Sequence, residues 1–390
     1  MLTTLAVENY RSLRNLVVPL GRLNVIKGVN GSGKSNLYKS LRLLADTASG
    51  GIVSSLAREG GLPSTFWAGP EKITRDMRAG RVPIQGTARK DPKRLKLGFS
   101  GEDFGYCIAM GLPPPADRMN PTAFALDPEI KRECIWSGPV CKPERVLVDR
   151  TGPSVRIRTD QGWQLHDGGL NLFESIFLQI ADPNTAPEVL MLRETIRGWR
   201  FYDQFRTDPD APCRSPQLGT RTMVLGHDGK DLAAALQTIM EIGDPDEVAH
   251  AVHEAFPGAE LSIAQPGDCR FAVELRLPGL LRPLTGAELS DGTLRYLLWV
   301  AALLTPRPPQ MMVLNEPETS LHPDLLPALA KLIVNASERM QLWVVTHSAA
   351  LADELNRGAD VHLIELEKEL GQTQVKGQTS LDRPHWKWVE

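Results

Sequence analysis

GVNGSGKS, running from Gly28 to Ser35, fits the pattern G-x-x-x-x-G-K-[ST], with Gly28, Gly33, Lys34 and Ser35 at its fixed positions. The apolar RLNVIK before it predicts a strand. NLYKSLRLLAD after it predicts a helix, since Leu37, Leu41 and Leu44 recur at helical spacing. A phosphate site needs this strand, loop and helix context: glycines let backbone N–H groups approach and cradle an anion, and the helix presents its positive N-terminal end to the same charge. Gly28, Asn30, Gly31, Ser32, Gly33, Lys34, Ser35 and Asn36 are therefore the candidate nucleotide-binding residues. Lys34 would reach the β- and γ-phosphates of ATP, and the Ser35 hydroxyl would ligate Mg²⁺. The competing reading, a Gly-rich turn with a solvated lysine, is disfavoured by the flanking elements.

Four further motifs follow in the last hundred residues. LSDGT (Leu289–Thr293) leads into the apolar helix candidate LRYLLWVAALL; PRPP breaks it, and MMVLNEPE reads as a buried strand ending in acids. TSLHPDLLPALAKLI predicts a turn and a helix, and QLWVVTHS a second apolar strand ending at His347. Taken alone, LSDGT is also a good helix N-cap, because Ser, Asp and Gly are all cap or turn residues.

The order P-loop, LSDGT, acidic strand end, turn and histidine resembles the ABC ATPase superfamily. The opening VENYRSLRNLVVPLGRLNVIKGVNGSGKSNL narrows the branch: Asn9, Tyr10, Arg11 and Ser12, followed by a P-loop that closes GKSN, resemble RecF, SMC and OLD-type ATPases, in particular stand-alone predicted ATPases of that group. The resemblance covers about the first fifty residues and the last hundred. It implies an α/β P-loop NTPase fold, an ABC ATPase head with an antiparallel β lobe and a helical subdomain. It also implies a composite site, in which Ser290, Asp291 and Gly292 of one subunit close over the γ-phosphate held by the P-loop of another. Glu316 would act as the catalytic base and His347 as the γ-phosphate sensor. The family places Asp before that glutamate to hold the Mg²⁺ shell, and this chain has Asn315. Asn keeps an acceptor oxygen but loses the charge, so metal affinity and turnover are expected to fall while nucleotide binding is retained. Glu318 and Asp324 are nearby acids that could compensate or play structural parts. Gln179 is the candidate Q-loop metal contact.

At 390 residues the chain has room for two or three average domains, but a two-lobed head would use all of it, so one composite domain is expected. Its expected parts are a P-loop segment (1–51), a β-rich insertion completing the first lobe (52–170), a helical subdomain (171–283) and the segment with signature, Walker B, D-loop and histidine (284–390). RLKLGF, FGYCIAM, RECIWSG, RVLVD and SVRIR read as antiparallel strands. NLFESIFLQIAD, EVLMLRETIRGWRFYDQF, DLAAALQTIMEI and DEVAHAVHEAF read as helices. No sustained heptad run or zinc-hook C-x-x-C appears, so the coiled-coil arm of SMC relatives is not expected. About forty residues follow His347, too few for an appended Toprim nuclease.

The apolar share of 42% suffices for a core, and the mixed charge argues against disorder. No secretory signal or membrane-length apolar run is present, and the five scattered cysteines suit a reducing cytoplasm. Net charge is −3, yet nine basic residues face three acids between Glu71 and Lys96. That segment, with Arg89, Lys90, Lys93 and Arg94, reads equally as a nucleic-acid surface or as a solvated hairpin. The ending PHWKWVE is a docking tail or an aromatic terminus tucked against the fold. These features point to a cytoplasmic ATPase that forms a homodimer on binding ATP and acts on DNA, or on an effector or nuclease partner, in repair or phage defence. The alternative is a slow, ATP-dependent assembly switch. A transporter motor is disfavoured by the N-Y-R-S opening.

Overall fold

In the computed structural model the described residues are 1–70, 73–83, 93–114, 123–358, 360–379 and 381–389. They form two units, each assembled from separated stretches: 1–21, 28–199 and 364–390 in the first, and 22–27 with 200–363 in the second.

The first unit is built on an eight-stranded antiparallel sheet in the order Leu13–Pro19, Leu2–Tyr10, Leu95–Gly101, Phe104–Gly111, Glu129–Ser137, Val146–Thr151, Ser154–Thr159 and Gly162–Leu165. All five strand candidates of the β-rich insertion are present in it. The middle strands are buried along most of their length, and Gly162–Leu165 is an exposed edge. Its core contains an ion pair at zero exposure, Arg150 Nη1 to Glu133 Oε2 at 2.7 Å. Such a pair persists in an apolar interior only when the remaining polar atoms are satisfied. Here they are: the Tyr106 hydroxyl, the Ser175 hydroxyl and the Ile176 N–H donate to Glu133, while Arg150 donates to the carbonyls of Gly152, Asn171 and Glu174.

This cluster explains a departure from the sequence reading. Helix is expected through NLFESIFLQIAD, but only Ile176–Gln179 is helical, ahead of a second helix at Pro187–Arg197. The carbonyls of Asn171 and Glu174 are taken by Arg150 and by the Gln179 side chain, so they cannot feed a helical ladder. The C-terminal aromatics tuck onto the same unit. Trp386 packs edge-on against Trp136 at 5.7 Å, and Lys96 Nζ lies 5.7 Å above the Trp388 ring.

The second unit has four parallel strands in the order Arg200–Tyr202, Met311–Asn315, Gln341–Val345 and Leu23–Gly28. Gln341–Val345 is buried at every position and Met311–Asn315 at all but its last, as parallel strands covered on both faces require. Helices Leu232–Ile242, Pro245–Ala255, Asp291–Leu303 and Leu326–Ser337 supply the cover. The helix Asp291–Leu303 is buried at ten consecutive positions from Leu294, which suits an apolar sequence with no polar stripe. A small antiparallel sheet joins Gln217–Leu218, Arg270–Arg276 and Glu260–Gly267, with Leu284–Thr285 paired to Arg270–Arg276. No helix among the described residues is long and apolar enough to cross a membrane.

Candidate nucleotide site

The strand Leu23–Gly28 delivers the chain into the P-loop, and the helix Lys34–Thr47 starts at its end. Gly33 is the N-cap, with φ 111°, and no side chain among the described residues caps this helix. A helix N-terminus without a capping side chain suits an anion. Lys34 Nζ donates to the carbonyls of Gly28 and Val29, which holds its charge at the loop. Asn30, Gly31 and Ser35 are exposed, and Gly31, at φ 79°, has open space where a Cβ would stand. An uncapped helix end, a lysine on the loop and an exposed hydroxyl beside it fit a Mg²⁺-bound triphosphate. Ser32 and Asn36 face another way. Ser32 is buried, and its N–H donates to Val29 O at 3.1 Å. Asn36 Nδ2 donates to Ser12 Oγ at 2.8 Å.

The LSDGT segment lies in the second unit at the start of Asp291–Leu303. Ser290 is the N-cap: its Oγ accepts from Thr293 N at 3.1 Å and lies 2.8 Å from Thr293 Oγ1. Asp291 pairs with Arg214, whose guanidinium also donates to the carbonyls of Gly286 and Leu289. Glu288, just upstream, is held at a pKa of about 2, chiefly by hydrogen bonding to Arg282 and then by the Thr285 N–H and hydroxyl. The approach to the signature is thus fixed by charge on both sides.

Asn315 ends its strand half-buried, and Glu316 follows with φ 51°, in the left-handed region that a non-glycine residue adopts at a cost of order 1 kcal/mol. Its N–H donates to Val345 O at 2.7 Å, which pins the turn to the neighbouring strand. The side chain then meets His347: Glu316 Oε1 and His347 Nε2 are 3.0 Å apart, both part exposed. Residues 31 positions apart in sequence are brought together because their strands are adjacent and parallel, with Asn315 opposite Val345.

Glu318, which the sequence leaves open as a metal substitute or a structural acid, is tied to the histidine loop. Its Oε1 accepts from the Thr346 hydroxyl at 2.6 Å, His347 N at 3.0 Å and Ser348 N at 3.1 Å. Its Oε2 is buried with no hydrogen-bond partner among the described residues. Bonds to a carboxylate are each worth about 1.5–3 kcal/mol, so this side chain sets the backbone from which His347 projects. The second acid of the E-P-E stretch is the only sequence signal for this role.

The signature helix also supports the loop after Glu316. Buried Arg295 donates to Thr319 O at 3.1 Å and to Phe205 O at 3.0 Å, and Trp299 Nε1 donates to Pro317 O at 3.0 Å. A Cβ on Gly292 would lie 3.2 Å from Ser320 O. Signature and D-loop therefore share one open recess of about 590 Å³, lined by Ser290, Gly292, Thr293, Ser320, His322 and Asp324 among others. His322 Nδ1 caps the turn, accepting from Asp324 N at 3.4 Å, and Asp324 itself is exposed.

Gln179 lies in the first unit. Its amide oxygen accepts from Asn171 N at 2.7 Å, and its nitrogen donates to the carbonyls of Asn171 and Glu174. Those three bonds give it a loop-fixing part. Of the candidate nucleic-acid contacts, Arg89 and Lys90 lie outside the described residues. Lys93 Nζ donates to Trp67 O at 3.2 Å and sits 5.6 Å above the Phe66 ring. Arg94 accepts from Asn9 Nδ2 through its carbonyl at 3.0 Å.

A family model described as "AAA domain, putative AbiEii toxin, Type IV TA system" matches residues 23–106 and 177–353, which include the P-loop, the signature, Asn315, Glu316 and His347. The chain belongs to this AAA-domain family. No curated protein matches its sequence. Among solved structures, an SMC head bound to the C-winged helix domain of ScpA matches at 14% identity over 96% of each chain, with a TM-score of 0.50. The SMC head domain from Thermotoga maritima matches at 13% identity over 96% of this chain and 97% of its own, with a TM-score of 0.48. The first of these likenesses shows the fold. This AAA-domain chain has the architecture of an SMC-like ABC ATPase head, and it is a nucleotide-binding P-loop protein of the ATPase type.

Proposed function

We propose that this protein is a cytoplasmic ATPase whose two half-sites come together only in an ATP-bound homodimer. One observation carries the reading: Ser290, Gly292 and Thr293 of the signature line an open recess together with Ser320, His322 and Asp324, which leaves them accessible to a phosphate brought by another copy. A triphosphate held by Lys34 and Ser35 of one copy would meet Ser290 and Gly292 of the other. Asn315 and Ser35 would hold Mg²⁺, which supplies charge neutralisation to the phosphates. Glu316 would orient the attacking water, and His347, whose Nε2 lies 3.0 Å from Glu316 Oε1, would contact the γ-phosphate. Positioning and charge stabilisation, rather than covalent chemistry, would lower the barrier.

The process is expected to be defence, through DNA or a DNA-acting partner. The family's description names a toxin–antitoxin system, and the solved SMC head of the same fold is bound to a winged-helix domain of another protein. Asn315 favours a second reading, a slow assembly switch whose output belongs to that partner. Light scattering of Glu316→Gln with Mg²⁺ and ATP is the test. A dimer with ATP and monomer with ADP supports the composite site; monomer under both conditions overturns it. DNA contact through the basic segment predicts affinity that falls steeply with salt and weakens when Arg89, Lys90, Lys93 and Arg94 become Ala. Equal binding by wild type and that variant across a salt titration removes the contact.

A further inference from the structure

We infer that Thr373, in the C-terminal hairpin of Val361–Glu369 and Gln372–Val375, is a positioning residue of the nucleotide site that locks the P-loop from behind. The inference rests on the P-loop reading and adds to it a residue that no motif contains.

A loop that turns its N–H groups inward to an anion must turn carbonyls outward, and a buried carbonyl needs a donor. Ser32 is 1% exposed, and its carbonyl accepts the Thr373 hydroxyl at 2.7 Å. Thr373 is equally buried and has one hydroxyl proton, which that carbonyl can only accept. The contact of 2.7 Å between Thr373 Oγ1 and Ser12 Oγ must therefore run with Ser12 as donor. Ser12 Oγ then accepts from Asn36 Nδ2, at 2.8 Å. The result is a one-way relay: Asn36 amide to Ser12 hydroxyl to Thr373 hydroxyl to Ser32 carbonyl. Each hydroxyl donates once and accepts once. The Thr373 N–H, donating to Ser12 O at 2.9 Å, fixes the hairpin to the same turn.

Gly33 makes room for this arrangement. A Cβ there would lie 2.8 Å from Thr373 Cγ2 and closer still to its Oγ1, so the side chain occupies the space that glycine leaves. Gly33 serves the loop twice, by its φ of 111° and by admitting Thr373. Ser12 closes the N-Y-R-S opening, and Asn36 is the final residue of GKSN. The relay joins the two stretches: they lie on one hydrogen-bond chain to which the C-terminal hairpin contributes Thr373. Within such a chain each bond polarises the next, so removing one link is felt at both ends.

Calorimetry with ADP and Mg²⁺ tests this without dimerisation. Thr373→Val keeps the shape and removes the hydroxyl, leaving the Ser32 carbonyl and the Ser12 proton unpaired; ADP affinity should fall by about ten-fold or more. Thr373→Ser restores the relay and should bind within about three-fold of wild type. Ser12→Ala should weaken ADP binding as Thr373→Val does, and the double variant should be no worse than either, because both cut one chain. A purely structural role would lower the melting temperature of nucleotide-free Thr373→Val and leave its ADP affinity within about two-fold of wild type; that result overturns the inference. If Thr373→Val does not fold, wild-type affinity in both Ser12→Ala and Asn36→Ala overturns it instead. Lys34→Ala is the control: if that variant binds ADP normally, the P-loop reading fails and this inference with it, whereas loss there with normal binding by Thr373→Val rejects only the role of Thr373.

Discussion

Two helix N-termini in this molecule carry the P-loop and the LSDGT segment, and they are finished in opposite ways. Lys34–Thr47 begins after a glycine in the left-handed region, with no capping side chain among the described residues. Asp291–Leu303 begins after Ser290, which caps Thr293 N, and Asp291 beside it is paired with Arg214. The first end has no capping side chain to compete with an anion, so it suits uptake in a single copy of the protein. The second satisfies its own donors. A phosphate there gains less from the backbone, and the serine hydroxyl must be shared with or withdrawn from the cap. On the proposed composite site, the difference predicts an order of events: nucleotide taken up first at the uncapped end, and the capped end responding afterwards to a phosphate presented to it.

The largest effect should come from the open end. Lys34→Ala removes the only P-loop cation, and ATP affinity is expected to fall by on the order of 100-fold or more, as for loss of a charge-assisted phosphate contact. Calorimetry on the folded variant measures it. Undiminished affinity would break the comparison at its root, since nucleotide would then enter elsewhere.

The capped end should fail differently. Ser290→Ala is expected to leave ATP binding by the monomer close to wild type while weakening the ATP-dependent dimer of Glu316→Gln by about ten-fold, because the hydroxyl acts on phosphate only across the interface. Loss of the cap should also lower stability by about 1 kcal/mol, read from denaturant unfolding. If ATP binding by the monomer weakens as much as the dimer does, the two ends are not separate stages.

Much of this contrast is legible in the sequence, because the P-loop and LSDGT are local patterns and the strands beside them are continuous apolar runs. The antiparallel lobe is legible for the same reason, with runs such as RVLVD and SVRIR bounded by turn residues. What stays hidden depends on residues distant in the chain. Thr373 reaches Ser32 across 341 positions, and no period or spacing encodes that contact. Arg150 draws the carbonyls of Asn171 and Glu174 out of an expected helix through a buried ion pair whose partner, Glu133, lies on another strand. Gln179 reads as a candidate metal contact through the resemblance, as a Q-loop glutamine, yet its amide is engaged by the loop it borders. Glu318 is visible as an acid, but its three donors come from the strand end at Thr346–Ser348, adjacent only once the parallel sheet forms.

The smallest effect sharpens the comparison at Asn315. Asn315 stands where related sites carry a carboxylate, and Glu318, the nearest acid of the same turn after Glu316, has one oxygen bound to three donors and the other buried with no hydrogen-bond partner among the described residues. If the missing charge limits Mg²⁺ binding, Asn315→Asp should lower the Mg²⁺ concentration for half-maximal ATP hydrolysis by several-fold, about 1 kcal/mol, and raise turnover. ATP affinity, set by the open helix end, should barely move. If instead the site is built around a neutral residue, a new carboxylate would repel Glu316 and Glu318, and the rate would drop at every Mg²⁺ concentration. A magnesium titration of steady-state hydrolysis on wild type, Asn315→Asp, Glu316→Gln and the double variant separates these cases. Wild-type turnover that Glu316→Gln removes in both backgrounds establishes an enzyme; turnover that appears only in the Asn315→Asp variant makes the natural protein a switch, with the capped end closing on ATP and staying closed.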